Sequence, residues 1–132
     1  MLVKKGMAIG WPVILSSRAI RYKSTYNGSV LLEIEVNGDT VTLVNNHLES
    51  NKLTKEDKDV YEDMIKAPEA HKVKNGTRYL VNKLAEASAI RALQADTIAK
   101  EIAASKHRSI IVCGDFNDTP ISYAHRTIQG NL

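Results

Sequence analysis

The sequence predicts a layered α/β sandwich, with strands and helices mixed in one short chain. Three observations predict it. Residues 29–36 and 40–44 alternate apolar and polar side chains on either side of Asn37-Gly38-Asp39, the pattern of two half-buried strands joined by a tight turn. Leu80, Leu84, Ala87, Ala95, Ile98 and Ile102 recur at helical spacing within 78–105, which predicts a long helix with one apolar stripe. Residues 109–113 then form a short apolar, β-rich run, read as a mostly buried last strand.

Taken in order, residues 7–16 are apolar but punctuated by Gly10 and Pro12, which reads as a strand with a break or as two short strands. In the first alternating run Leu32, Ile34 and Val36 point one way and Glu33 and Glu35 the other. In the second, Val41 and Leu43 oppose Thr40 and Thr42. Asn-Gly takes positive φ readily, so the two runs form a hairpin. Thr54 opens a polar helix, with Asp57 three residues on in a capping-box arrangement, and this helix ends near Ala67-Pro68. Asn75-Gly76-Thr77 is expected to break the chain before the long helix. A short final helix is expected over 121–129, with Asp118 a candidate cap. There is no internal repeat, low-complexity tract or linker.

A length of 132 residues suits one domain, and 43% hydrophobic residues suffice for a core. No apolar run is long enough to cross a bilayer, and the start of the chain lacks the pattern of a signal peptide. Nothing in these residues assigns a compartment. Eighteen basic against 15 acidic residues give a net charge of +3, too mild a balance to argue for nucleic acid by itself. The single Cys113 excludes an internal disulfide and a multi-cysteine zinc site. Following Ile110-Ile111-Val112, it reads as a buried small hydrophobe.

Two segments carry chemistry. Gly114-Asp115-Phe116-Asn117-Asp118-Thr119-Pro120 follows directly on the last predicted strand, where α/β proteins place their sites. Asp115 offers a carboxylate that can bind a hard cation or accept a proton from water. Asn117 offers an amide that can meet a phosphate oxygen without charge repulsion. The same residue types also form turns. The second segment, Val44-Asn45-Asn46-His47-Leu48-Glu49-Ser50, closes the second hairpin strand. A histidine leaving a strand is poised to donate a proton or hydrogen bond to a phosphoryl oxygen, although a lone histidine is more often structural.

The two segments in this order, preceded by Met7-Ala8-Ile9 through Ile14-Leu15-Ser16-Ser17-Arg18-Ala19-Ile20, resemble the endonuclease/exonuclease/phosphatase family. Its members include abasic-site endonucleases, neutral sphingomyelinases, inositol-polyphosphate phosphatases and deadenylases. The resemblance runs from about Gly6 to Ile128. It implies a four-layer α/β sandwich, two packed and mainly antiparallel sheets flanked by helices. It also implies metal-dependent hydrolysis of phosphodiester or phosphomonoester bonds. Asp115 would orient or deprotonate the attacking water or hold metal, Asn117 would bind the scissile phosphate or steady the nucleophile, and His47 would stabilise the phosphoryl oxygen or leaving group. Magnesium, or manganese in its place, would neutralise charge developing on the phosphate. Asn45 is expected to hydrogen-bond backbone at the strand end or to meet substrate. Arg91 lies in the apolar stripe, with Gln94 three residues on as the family often has it. A charge on a buried face needs a partner, so Arg91 is expected to reach the phosphate or to pair with a nearby carboxylate. Tyr123 and His125 are candidates for the cleft lining or for packing, whereas His71 and His107 read as exposed. The Lys and Glu residues between Lys52 and Lys74 read as a solvated helix face.

The chain also departs from the family pattern. The strand that supplies the metal-binding glutamate and the closing Ser-Asp-His segment have no counterpart in it. The expectation is therefore a partial domain, weakly active or inactive alone, that associates with itself through exposed sheet edges. The alternative is a non-catalytic binding module that retains the fold. Nucleic acid, inositol phosphate and phospholipid head groups all remain candidate substrates.

Overall fold

A computed structural model describes residues 11–24, 26–130 and 132 in full, and of the first ten residues only the backbone of Val3–Lys4 and Met7–Ala8. Those two pairs, β1 and β2, form a two-stranded antiparallel ribbon. Ile9 and Gly10, in the predicted broken strand, lie outside the described residues. After Pro12 the chain enters β3 (Val13–Ile20), followed by β4 (Ser29–Val36) and β5 (Asp39–His47). Helices α1 (Lys55–Lys66) and α2 (Ala70–Ala103) come next, then β6 (Ser109–Asp115) and α3 (Tyr123–Gln129).

The main sheet has the order β3-β4-β5-β6, antiparallel except for the parallel pair β5–β6. Asn37 and Gly38 both have positive φ, 56° and 88°, as the tight turn between β4 and β5 requires. The parallel step needs a crossover, and α1 and α2 supply it.

Helices cover one face. Ile20, Leu31 and Val44 meet Ala95, Ile98 and Ile102 of α2 and Ala124 and Ile128 of α3 in one buried cluster, with Ile110, Val112 and Phe116 packed against it. The hairpin alternation holds, but the covered face belongs to the phase of Ser29, Leu31, Thr42 and Val44. The phase of Leu32, Ile34 and Leu43 lies on the other, open face and is half-buried. There Ile14 and Ile111 are half or more exposed. β6 is accordingly an edge strand with one uncovered face, not the mostly buried strand expected, and Cys113 on that face is exposed. An apolar run of five residues reports strand propensity, and burial is decided by what packs on each side.

The expected break at 75–77 is absent, because α2 runs unbroken through it. A Cβ on Gly76 would lie 2.5 Å from Met64 Sδ and 3.2 Å from Val60 Cγ1 of α1. The glycine serves close helix–helix approach rather than a turn. Thr54 and Asp57 form the reciprocal capping box that opens α1. Asp118 does not cap α3: Ser122 does, accepting a hydrogen bond from His125 N.

Candidate active site

Register brings the candidate residues to one end of the open face. Val44 pairs with Val112 on the helix side. One and three positions further, Asn45 pairs with Cys113 and His47 with Asp115. Alternation turns all four to the open side, and all four are exposed. Neighbouring strands lie about 4.8 Å apart, so His47 and Asp115 stand side by side as the last pair of the parallel ladder.

Three hydrogen bonds shape the loop after β6. Asn117 N donates to Asp115 Oδ1 at 2.9 Å, Asn117 Nδ2 to Leu48 O at 2.9 Å, and Leu48 N to Asp115 O at 2.9 Å. Asn117 holds φ at 50°, a left-handed conformation that asparagine tolerates. The motif loop is thereby stitched to the residue that follows His47. Only one oxygen of Asp115 is engaged by protein among the described residues.

Arg91 does not lie on the open face. It is 3% exposed, beneath the loops. Its Nε donates to Asp118 Oδ2 at 2.9 Å, and its Nη1 donates to Glu49 O at 3.0 Å and Asn51 Oδ1 at 2.9 Å. Of its two expected roles, the structure places it in the pairing with a carboxylate. Gln94, one turn on, accepts from Glu49 N and donates to Lys23 O. Glu49 is itself buried. Its hydrogen bond from Lys52, seconded by one from Ser24, holds its carboxyl below the usual range despite burial. Tyr123 is exposed, and its hydroxyl donates to Asp96 on α2 rather than joining His47 and Asp115. His125 packs at a tilt on Phe116, ring centroids 5.3 Å apart, behind the motif loop. His107 is half-buried against Glu33, whereas His71 is exposed as expected.

Two asparagines that sequence reasoning passed over take part. Asn46 is 2% exposed and donates from Nδ2 to Cys113 O, the backbone-bonding role expected of Asn45. With Asn45 and His47 facing outward, alternation alone points Asn46 inward, so that signal was present in the sequence. Asn27 donates from Nδ2 to Leu48 O at 2.6 Å, sharing that acceptor with Asn117. No local signal in Tyr26-Asn27-Gly28 separates it from an ordinary turn residue.

No three His, Cys, Asp or Glu side chains gather into a cluster among the described residues. Magnesium keeps several waters and is commonly held through one or two carboxylates plus substrate phosphate. Asp115, exposed and with one oxygen unengaged, fits one such ligand.

A search of curated proteins and a search of solved structures each return no match. The profile of the endonuclease/exonuclease/phosphatase family matches residues 12–132. The match spans all the strands of the main sheet, all three helices and both motif segments, and the chain belongs to the endonuclease/exonuclease/phosphatase family.

Proposed function

We propose that this chain carries the phosphate-handling part of a magnesium-dependent hydrolase of phosphodiester or phosphomonoester bonds. The observation that carries the reading is the pairing of His47 with Asp115 on the open face, with Asn117 locked beside them through Leu48 O. Asp115 orients the attacking water and accepts its proton, its carboxylate aimed by the Asn117 N–H. His47 donates a hydrogen bond to a phosphoryl oxygen or to the leaving group. Asn117 uses one N–H on Leu48 O and keeps its amide oxygen and second N–H for the nucleophile or phosphate. Asn45 stands two residues before His47 on the same face and adds a second amide to the phosphate side. Arg91 acts from below, steadying the motif loop through Asp118. Magnesium or manganese, held in part by Asp115, supplies charge neutralisation on the phosphate.

A second sheet on the open face would complete the four-layer sandwich. In this reading the chain forms part of such a domain, and its turnover alone is weak. The exposed Ile14 and Ile111 support this, since the face they line is apolar. The absence of a three-ligand cluster among the described residues favours one second reading, a binding module that keeps the fold without the chemistry.

Hydrolysis of bis(4-nitrophenyl) phosphate separates the two. The hydrolase reading expects slow cleavage that needs magnesium or manganese, stops with EDTA, and falls about a hundredfold or more in Asp115→Asn and His47→Ala. Cleavage indifferent to either substitution would contradict it, and cleavage at the uncatalysed rate would leave the binding module.

A further inference from the structure

We propose that α1 and the first half of α2 form a docking groove for an amphipathic helix with acidic flanks, supplied by a partner protein. The proposal stands apart from the hydrolase reading. Its first support is an apolar stripe that outruns the core. On α2 the buried residues Ile102, Ile98, Ala95 and Ala87 are continued at helical spacing by Leu84 and Leu80. That stretch of α2 packs on α1, which contributes no residue to the core cluster. The contacts run antiparallel, Met64 against Gly76 and Asp57 against Lys83, so the two helices form an αα-hairpin outside the core. Its apolar side chains stay open to solvent: Leu53 is 45% exposed, Tyr61 56%, Ile65 62% and Leu84 38%.

The second support is shape. Between the helices lies a groove of about 370 Å³ lined by Leu53, Asp57, Lys58, Tyr61, Leu80 and Leu84. The Asp57 carboxylate offers the groove no free charge, because it is buried and held by Lys83 and the Thr54 N–H. Ile65 extends the apolar row of α1 one turn beyond Tyr61. The 12 residues of α1 span about 18 Å, which is room for about three turns of a third helix. Two antiparallel helices receive such a helix along their groove, through apolar anchors at i, i+3 or i+4 and i+7. An extended strand gains nothing comparable, since helical walls spend their backbone groups internally.

The third support is charge. Lys58 lines the groove, and Lys55 stands one turn before it on α1. On α2, Thr77 and Val81 form the row outside Leu80 and Leu84, and Lys74 stands one turn before Thr77. All three lysines are exposed, and none forms an ion pair among the described residues. Residues 70–85 include no acidic side chain, and Glu62 on the α1 flank is taken up by Lys66. A basic rim around an apolar floor selects an acidic partner. It disfavours a second copy, because a two-fold pair would bring like rims together.

The test is fluorescence anisotropy on the whole chain with a labelled helical peptide that carries leucines at i, i+3, i+4 and i+7 and glutamates on its flanks. A twin peptide has lysine in place of each glutamate. The acidic peptide is expected to bind, and the twin about tenfold or more weakly. Leu84→Glu and Tyr61→Ala should each weaken the acidic peptide about tenfold, with the far-UV circular dichroism of the chain unchanged. Lys58→Glu combined with Lys74→Glu should shift the preference toward the twin, a gain that misfolding cannot produce. No binding of the acidic peptide, equal binding of the two peptides, or indifference to Leu84→Glu would each overturn the proposal. So would sedimentation in which Leu84→Glu alone turns an associated chain into a monomer, since the groove would then hold a second copy. Phosphatidylserine vesicles that displace the acidic peptide from the parent chain would overturn it in favour of a lipid surface.

Discussion

Gly114 lies in β6 opposite Asn46 of β5, one residue before Asp115. Its φ is +126°, and a Cβ there would lie 1.9 Å from Asn46 O. Neither the backbone conformation nor the space admits a side chain. Gly114→Ala is expected to cost about 3–5 kcal/mol, read as a lower urea midpoint, and to separate His47 from Asp115. Arg91 is the other single residue on which the site's shape depends. One guanidinium joins α2 to the loop after β5 through Glu49 O and Asn51, and to the loop after β6 through Asp118. Its side chain is 4% exposed and that of Asp118 15%, so removing the cation strands a carboxylate with little water. Arg91→Met keeps the volume and is expected to lose about 3 kcal/mol. Amide hydrogen exchange should rise at 115–119, whereas a merely local defect would leave those amides unchanged. Arg91→Lys should recover little, because a single ammonium cannot span three acceptors in a plane.

At the scale of elements, α2 has two jobs along its 34 residues. Its second half is core, with Ile98 fully buried, and Ile98→Ala should cost about 3 kcal/mol by thermal or urea unfolding. Its first half packs on α1, through Gly76 against Met64 and through Lys83 against Asp57. The hydrogen bond from Lys83, followed by that from the Thr54 backbone N–H, holds the Asp57 carboxyl far below the ordinary carboxylate range. A depressed carboxyl contributes stability that is complete above its unfolded value, about pH 4, and is lost as pH falls below it. Glu49, also depressed, acts in the same direction. Thermal unfolding should therefore drop on acidification below about pH 4. Asp57→Asn should be less stable than the parent near neutrality and converge with it in acid. A constant gap between the two across that range would show that the Asp57 charge is not what couples α1 to α2.

At the scale of the whole molecule, the sequence was most legible where the signal is local. Asn37-Gly38 determines its own turn, the stripe from Ala87 to Ile102 finds its own core, and strand alternation places His47 and Asp115 on one side. It was least legible where the outcome depends on a distant partner. Nothing near Cys113 says that its face is left open, nothing near Gly76 says that α1 will press against it, and nothing near Arg91 chooses Asp118 over the open face. Site residues were read from their motifs, whereas the network that holds them, Asn27, Asn46, Glu49 and Asn51, comes from contacts between loops far apart in sequence. The open apolar face carries its own expectation. In sedimentation at rising concentration the isolated chain should weigh more than one copy, and a monomer throughout would contradict self-association through this sheet.

The central claim is that the end of β5 and the loop after β6 form one phosphate and metal site. Titration of the isotopically labelled chain with manganese, followed by paramagnetic broadening of its amide resonances, tests it most directly, and weak binding suffices. The account predicts that Asn45 to His47 and Asp115 to Asn117 broaden first and together, and that Asp115→Ala abolishes the effect. Broadening centred elsewhere, or unchanged by Asp115→Ala, would contradict it.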